Sequence, residues 1–193
     1  IDVGCLQRKC EQIGEQRQQT QYGYGNRQFE NTDSLFLKKR RVIDKGNTEV
    51  VAEYIKEMTG ADVFRIMPDK EYEKIQDYDE LVELTRIEHE NDERPTFNGK
   101  INDIGKYDTI FIGSPIWWYT FPQVMYTFLD SYDLNGKTII PFTTHEGSGL
   151  ADVVEVLRKY YPNATVAEGL AIRGRDAVKS KEKVVRWLEK TGF

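Results

Sequence analysis

The sequence predicts an α/β fold with three layers, in which helices cover both faces of a doubly wound, five-stranded parallel sheet. From Ser34 to the end of the chain, short apolar runs alternate with longer amphipathic segments. Strands that alternate with helices in this way form parallel sheets covered on both faces. Residues 1–33 differ, because they are rich in Gln, Gly, Arg and Glu and have few large aliphatic side chains. We therefore predict a poorly ordered N-terminal tail, residues 1–33, and a single domain, residues 34–193.

The first half of the predicted domain contains two strands and two helices. Residues 35–37 are a short apolar run followed by four basic residues, and we assign them to the first strand. Residues 47–59 have helical spacing of apolar side chains, and Gly60 provides a stop signal. Residues 62–67 alternate as a strand. Residues 79–93 predict a polar helix whose apolar side carries Leu81, Leu84 and Ile87.

The second half continues the alternation. Pro122 begins the first of its helices, at a position where a missing N–H costs little. Gly169 is a candidate bend in the last strand. The predicted elements are, in order, a strand at 107–113, a helix at 122–132, a strand at 137–142, a helix at 150–161, a strand at 164–172 and a helix at 176–190.

Composition excludes several functional classes. The chain has 193 residues and a formal net charge of -5. Its Lys and Arg residues are scattered, which argues against an extended nucleic-acid surface. No apolar run approaches the roughly 20 residues of a spanning helix, and no secretory signal is visible. We expect a cytoplasmic protein without a membrane span, whose acidic surface favours basic protein partners.

Metal-binding and nucleophilic sites are not predicted. Cys5 and Cys10 form one pair, whereas a structural zinc site needs a second pair of ligands. The two histidines, His89 and His145, lie in different predicted elements and complete no metal cluster or nucleophilic triad. We therefore predict no catalytic residue.

Ligands of doubly wound folds bind beyond the carboxyl ends of the strands, and three predicted loops lie at that edge. The first, residues 38–48, ends in Gly46, Asn47 and Thr48 at the start of a helix. Unpaired N–H groups and the helix dipole make such a start an anion site. The alternative is that Asn47 simply caps the helix.

The second loop, residues 113–122, places two tryptophans just past a buried strand. In an extended segment neighbouring side chains point to opposite sides, so one indole would face a ligand while the other packs on protein. Two structural aromatics are the alternative, but a loop in this position is commonly functional. The candidate residues are Ser114, Pro115, Ile116, Trp117 and Trp118.

The third loop, residues 142–150, is small, polar and rich in glycine. Its backbone N–H groups could follow the edge of a heterocycle, or the loop could be an ordinary strand-to-helix turn. His145 beside Glu146 suggests an acid/base role, which no other residue supports. The candidate residues are Thr143, Thr144, His145, Glu146, Gly147, Ser148 and Gly149.

Residues 42–193 resemble the flavodoxins, in particular a bacterial flavodoxin-like group with a Pro-Ile-Trp-Trp loop. The matching motifs are Gly46-Asn47-Thr48, Gly113-Ser114-Pro115-Ile116-Trp117-Trp118, Thr144-His145-Glu146-Gly147-Ser148-Gly149 and Gly169-Leu170-Ala171-Ile172-Arg173-Gly174. The resemblance implies an FMN-binding protein that transfers electrons to and from partner proteins. It also implies that the first loop holds the phosphate, that the other two enclose the isoalloxazine ring, and that Trp117 stacks on the ring.

Two other functions are compatible with the same motifs. One is an NAD(P)H-dependent FMN reductase of quinone-like acceptors, and the other is a non-redox module of the same fold that has lost its cofactor. The sequence also departs from the family in two places. Asp44-Lys45 replaces the hydroxyl residues expected before Gly46, and Trp118 stands where glycine is frequent. Because bulky residues resist a positive φ, we expect Trp118 to avoid the backbone conformation that glycine adopts there.

Overall fold

A computed structural model describes residues 3–9, 45–70, 72–75 and 77–193, with the backbone alone for residues 3–9 and 73. The predicted strand at residues 35–37 lies outside these ranges. The described strands and α-helices are, in chain order, β1 (Val3–Lys9), α1 (Asn47–Thr59), β2 (Asp62–Pro68), α2 (Tyr78–Glu90), β3 (Phe97–Asn98), β4 (Tyr107–Pro115), α3 (Gln123–Ser131), β5 (Thr138–His145), α4 (Val153–Tyr160), β6 (Thr165–Val166), β7 (Leu170–Arg173) and α5 (Lys181–Lys190).

The strands form one sheet in the order β3-β2-β1-β4-β5-β6, and β7 also pairs with β5. β5 is parallel to β4, β6 and β7. β1 is antiparallel to both β2 and β4, so these two neighbours share one direction. The short β3 is antiparallel to β2. The predicted α/β fold is confirmed, but the sheet is mixed rather than wholly parallel because β1 and β3 run against the other strands.

Helices and side chains on both faces of the sheet build two separate cores. On one face, Ile110 and Ile112 of β4 pack with residues of α3 and α4, including Phe128 and Leu157. On the other face, Phe111 packs with residues of α1 and α5. Successive side chains of a strand point to opposite faces, so the apolar run of β4 supplies both cores. This is the three-layer arrangement that the sequence predicts.

The segment Val3–Lys9 differs from its sequence-based prediction. We predicted it as part of a tail, whereas it forms β1 between β2 and β4, with Gly4 opposite Gly113 and Lys9 opposite Tyr107. Only two large aliphatic residues occur in this segment, so its own propensity gives little signal. Backbone pairing with a neighbour on each side, a tertiary effect, determines its conformation.

The last predicted strand is interrupted. β6 pairs with the first residues of β5 and β7 with its last residues, and the residues between them, 167–169, include the predicted bend at Gly169. A Cβ at Gly169 would lie 2.7 Å from the Leu150 side chain, so the bend brings this backbone close to a neighbouring segment. The interruption leaves β7 aligned with the carboxyl end of β5, where the candidate loops meet.

Candidate functional site

The start of α1 lies against the end of β5. Gly46 is the N-cap of α1, and as a glycine it has no side chain with which to cap this terminus. Thr48 is 2% exposed, and its hydroxyl lies 2.7 Å from the hydroxyl of Thr144. Asn47 is the first helical residue rather than the cap. The first and third predicted loops are therefore joined by a buried hydrogen bond between two predicted site residues.

The second predicted loop is also joined to Thr144. The backbone N–H of Ile116 donates to the carbonyl oxygen of Thr144 at 3.0 Å. Ser114 is fully buried in the preceding strand, and its hydroxyl donates to the Pro115 carbonyl. Thr144 thus contacts one loop through its side chain and another through its backbone. The three loops predicted from the sequence converge on one edge of the sheet.

The aromatic segment forms a tight turn, which we call the aromatic turn (residues 117–120). The backbones of Trp117 and Thr120 exchange two hydrogen bonds, of 3.0 and 2.9 Å. The two central residues, Trp118 and Tyr119, have φ values of 52° and 62°. Positive φ at both central positions defines a type I′ turn, which normally takes Asn and Gly. The expectation that Trp118 avoids positive φ is therefore wrong, because the closing hydrogen bonds hold the turn.

The turn also changes where the indoles point. The sequence predicted an extended segment with one indole on each side, but both indoles and Ile116 line a single cavity of about 440 Å³ against α2. The indole N–H of Trp118 donates to the Thr85 hydroxyl at 3.2 Å, and this indole remains 38% exposed. Tyr119, at the tip of the turn, is 78% exposed. A left-handed residue breaks the alternation of an extended strand, which explains the difference.

Trp117 packs against Tyr72, which belongs to a buried polar network. The two rings meet edge to face, with centroids 5.7 Å apart and planes inclined by 84°. The Tyr72 hydroxyl lies 3.0 Å from both carboxylate oxygens of Glu88, which is 1% exposed. Lys70 Nζ lies 2.6 Å from the same carboxylate and 3.1 Å from that of Glu93. Burial and the Glu88 carboxylate raise the pKa of Tyr72, so the phenol stays protonated and donates.

Tyr72, Thr85 and Glu88 are functional candidates that the sequence analysis missed. The predicted apolar side of α2 was Leu81, Leu84 and Ile87, but its buried residues are Leu81, Thr85 and Glu88, while Ile87 is 39% exposed. Residues three and four apart share one side of a helix, so Leu81, Thr85 and Glu88 form one stripe. The signal available in the sequence was the helical spacing of Thr85 and Glu88 from the apolar Leu81, which places two polar side chains on the buried side of α2.

The third loop brings a carboxylate toward the start of α1. A Cβ on Gly174 would lie 2.5 Å from Glu146 Oε1 and 2.7 Å from Asn47 Nδ2, so both side chains crowd this glycine at the end of β7. The Arg173 guanidinium donates to the Glu146 carbonyl at 3.1 Å. Gly174 therefore marks a point where three chain segments approach closely.

His145 sits at the end of β5 with restricted access to water. Its Nδ1 is buried without a hydrogen-bond partner in the described part of the chain. Burial lowers the pKa of His145 below its ordinary value, and the nearby positive charge of Arg173 acts in the same direction. The imidazole is therefore biased toward its neutral form.

The remaining residues of the third loop shape the turn. The Thr143 hydroxyl donates to the Gly149 carbonyl at 2.9 Å, and the backbone carbonyl of Ser148 accepts from the backbone N–H of Ala151. A Cβ on Gly147 would meet nothing within 4 Å, so its surroundings are open. Gly149 has a φ of 64°, a conformation that glycine adopts freely.

Neither a metal centre nor a membrane segment is found in the part of the chain that the structure describes. There, no group of three or more His, Cys, Asp and Glu side chains is arranged to hold a metal ion. The helices of these residues are all too short or too polar to cross a bilayer.

Comparisons with known proteins agree with the architecture. A sequence model of the flavodoxin family matches residues 42–191. Among solved structures, a candidate flavoprotein from Bacteroides eggerthii is 31% identical, with a TM-score of 0.65 over 75% of this chain and 90% of its own. Another, from Bacteroides uniformis, is 30% identical, with a TM-score of 0.64 over 74% and 90% of the two chains.

A third solved structure is a flavoprotein in complex with FMN from Lactobacillus acidophilus. It is 19% identical, with a TM-score of 0.50 over 68% of this chain and 89% of its own, so it supports the fold alone. No match was found among curated proteins. The family match spans most of the chain and includes the candidate residues of all three loops of the site. The chain therefore belongs to the flavodoxin family.

Proposed function

We propose that the protein binds FMN at the carboxyl edge of its sheet and transfers electrons through the bound flavin. The observation that carries this proposal is the double role of Thr144, which contacts Thr48 of α1 and Ile116 before the aromatic turn. An anion-binding helix start and a set of aromatic side chains are thereby fixed next to each other. A ligand with a phosphate at one end and a flat ring at the other matches this arrangement.

The start of α1 is suited to the phosphate. Its N-cap, Gly46, has no side chain that could occupy the first N–H groups, and the N–H groups at a helix start bind anions together with the helix dipole. A hydroxyl has one hydrogen and two acceptor lone pairs, so the bond between Thr48 and Thr144 uses only one of their two hydrogens. If Thr144 donates that bond, Thr48 keeps a hydrogen for the phosphate. Gly46, Asn47 and Thr48 would therefore hold this end of the ligand.

The flat part of the ligand would lie between the second and third loops. In our proposal Trp117 stacks on the ring, and backbone groups of residues 114–118 and 144–149 border its edge. Bound flavin supplies the reversible uptake and release of electrons. The chain positions the ring and limits its contact with water. The acidic balance of the protein and the nearby Glu146 would disfavour added negative charge on the ring, which lowers its reduction potential.

An NAD(P)H-dependent reductase is the second candidate. Residues 143–149 contain no Phe, Tyr or Trp, so this loop has no large aromatic ring to cover the outer face of the flavin. A second planar molecule, such as a nicotinamide or a quinone, would have room there. This feature favours an enzyme that exchanges electrons with small molecules over a carrier that serves only protein partners.

Two measurements test these functions in sequence. The purified full chain is mixed with FMN and desalted, and its visible absorption spectrum is recorded. Retained flavin bands support the proposal, and a colourless protein overturns it in favour of a module without flavin. The loaded protein is then mixed with NADH or NADPH and a quinone. Turnover without a separate reductase favours the enzyme, and its absence favours the carrier.

A further inference from the structure

A second candidate site lies between α5 and the interrupted edge of the sheet. Pro141 of β5 lies between the residues that pair with β6 and those that pair with β7, and proline has no N–H to donate to an edge strand. A cavity of about 670 Å³ lies at this interruption, and its volume falls within the range of small-molecule sites. We call it the α5 cavity. Among the described residues, none that lines it belongs to the proposed flavin site.

The floor of the α5 cavity is apolar and fixed in position. It includes Ile140 of β5, Leu170 of β7 and Trp187 of α5, and these side chains are at most 8% exposed. The indole N–H of Trp187 donates to the backbone carbonyl of Glu168 at 3.2 Å, which ties α5 to the interruption. Because these side chains are already ordered, a ligand that covers them loses little free energy to their ordering. The floor therefore fits an apolar group.

Three cations of α5 line the same cavity. Lys183, Arg186 and Lys190 are three and four residues apart, so they share one side of the helix. Like charges at this spacing repel each other and destabilise a helix. The chain as a whole has a net charge of -5, so this cluster reverses the sign of the charge locally.

Other described residues neutralise these cations only in part. Lys183 Nζ donates to the carbonyl oxygen of Ala171 at 2.8 Å, and this acceptor carries no net charge. Arg186 lies 3.6 Å from the carboxylate of Glu182, whose side chain is 89% exposed, so water weakens the pair. Lys190 has no ion-pair partner in the part of the chain that the structure describes. The cluster therefore retains capacity for an external anion.

The α5 cavity thus combines an apolar floor with a surplus of positive charge. Glu168 is the one acidic residue among the described residues that line it, so three cations and one carboxylate leave two positive charges. We propose that this cavity binds an organic anion that joins one carboxylate to an apolar body. The carboxylate would lie near Arg186 and Lys190, and the apolar body would cover Trp187. This inference does not depend on the proposed flavin function.

Equilibrium dialysis of the full chain, with and without FMN, tests the binding. The anionic probe is naphthylacetate, and naphthylacetamide is an uncharged probe of nearly the same shape. We expect the anion to bind about tenfold or more tightly than the amide, and FMN to leave its affinity unchanged. Octanoate carries the same carboxylate on an acyl chain. Binding of either anion supports the inference, and the tighter one shows whether a ring or an acyl chain fits the floor better.

Two double variants locate the site. Arg186→Gln with Lys190→Gln removes two cations of the cavity, so it should weaken the anionic probe about tenfold or more and leave the amide unchanged. Arg158→Gln with Lys159→Gln removes two exposed cations of α4 that do not line the cavity. This control has the same change in net charge and should leave both affinities unchanged.

The outcomes separate this inference from the proposed function. Absence of binding by either anion, equal affinity for the anion and the amide, or equal loss in both double variants overturns the inference. Displacement of the anion by FMN also overturns it, because the probe would then occupy the flavin site. Failure of FMN itself to bind overturns the proposed function and leaves the inference standing, since the α5 cavity is lined by other residues.

Discussion

Trp117 and Tyr72 meet edge to face with ring centroids 5.7 Å apart, and the Tyr72 hydroxyl continues the contact to Glu88 inside the protein. An edge-to-face pair of aromatic rings has a preferred geometry and stabilises a protein beyond its buried area. Lys70 is the counter-ion of Glu88. Burial lowers the pKa of Lys70, but its hydrogen bonds to Glu88 and Glu93, together with their negative charges, outweigh burial and raise this pKa above its ordinary value. The position of an aromatic site residue therefore depends on a buried carboxylate.

Tyr72→Phe tests this dependence. The variant keeps the ring contact but removes the hydroxyl, so Glu88 loses one of its partners while it stays buried. We expect the free energy of unfolding to fall by about 1–3 kcal/mol, measured by urea denaturation. Tyr119→Phe removes an equally polar hydroxyl from a side chain that is 78% exposed and should leave the stability nearly unchanged. Equal stability of both variants would show that Glu88 does not need the Tyr72 hydroxyl.

Thr48→Val and Thr144→Val separate a phosphate contact from a structural one. Both variants break the same 2.7 Å hydrogen bond, so we expect similar losses of stability, about 1 kcal/mol each. Only Thr48 belongs to the proposed phosphate site. Thr48→Val should therefore weaken FMN by about 1.5–3 kcal/mol more than it weakens riboflavin, as measured by fluorescence titration. If Thr144→Val shows the same preference, Thr48 acts only through the shared bond.

The two tryptophans make a second matched pair. Trp117→Ala should weaken FMN binding by about 1 kcal/mol or more, because we place this indole on the flavin ring. Trp118→Ala should weaken FMN binding less, since the Trp118 indole is already hydrogen-bonded to Thr85 of α2. Fluorescence titration of FMN against both variants compares the losses. A larger loss in Trp118→Ala would transfer the stacking role to that residue.

Backbone strain in the aromatic turn predicts an unusual gain in stability. A residue other than glycine in a left-handed conformation lowers the free energy of unfolding by of order 1–3 kcal/mol. Tyr119 is such a residue, with a φ of 62°. Tyr119→Gly should raise the free energy of unfolding by about 1 kcal/mol. Tyr119→Ala removes the same ring but keeps a Cβ at this φ, so it serves as the control. If the glycine variant is no more stable than the alanine variant, the turn holds no strain at this position.

His145 predicts a pH dependence of stability. Burial, aided by Arg173, lowers its pKa in the folded protein from the ordinary value of 6.5. The unfolded chain therefore binds more protons, and the stability contribution is present above pH 6.5 and is lost as the pH falls through the folded pKa. His145→Gln should show a smaller loss of unfolding free energy upon acidification than the wild type, compared by urea denaturation at several pH values. Identical profiles would mean that protonation of His145 is not linked to folding.

The parts of this fold with strong periodicity could be predicted from the sequence. α1 occupies the predicted residues 47–59, and Gly60 caps it with a φ of 67°. The strand before the aromatic turn followed from an apolar run that serves both cores. The loops of the site followed from a single rule about strand ends. Local sequence preference and tertiary structure agree at these places, which is why these elements can be predicted from the sequence.

Other parts depend on contacts that no local pattern shows. The antiparallel β1 and the two-residue β3 exist through pairing with neighbours, not through their own propensity. The aromatic turn has the backbone of an Asn-Gly turn but contains Trp118 and Tyr119. Glu88 has a charged side chain yet is buried, because Tyr72 and Lys70 are brought to it by the fold. Each of these features breaks a local rule, and two of them border the candidate site.

The hydrogen bond between Thr48 and Thr144 has a consequence for the order of folding events. It joins residues that are 96 positions apart in the chain. Contacts between distant segments carry a large entropic cost of loop closure and form slowly. If this edge of the sheet is completed after the transition state, a ligand bound there would slow unfolding and leave the refolding rate almost unchanged. Occupancy of the site would then lengthen the lifetime of the native state rather than guide the chain toward it.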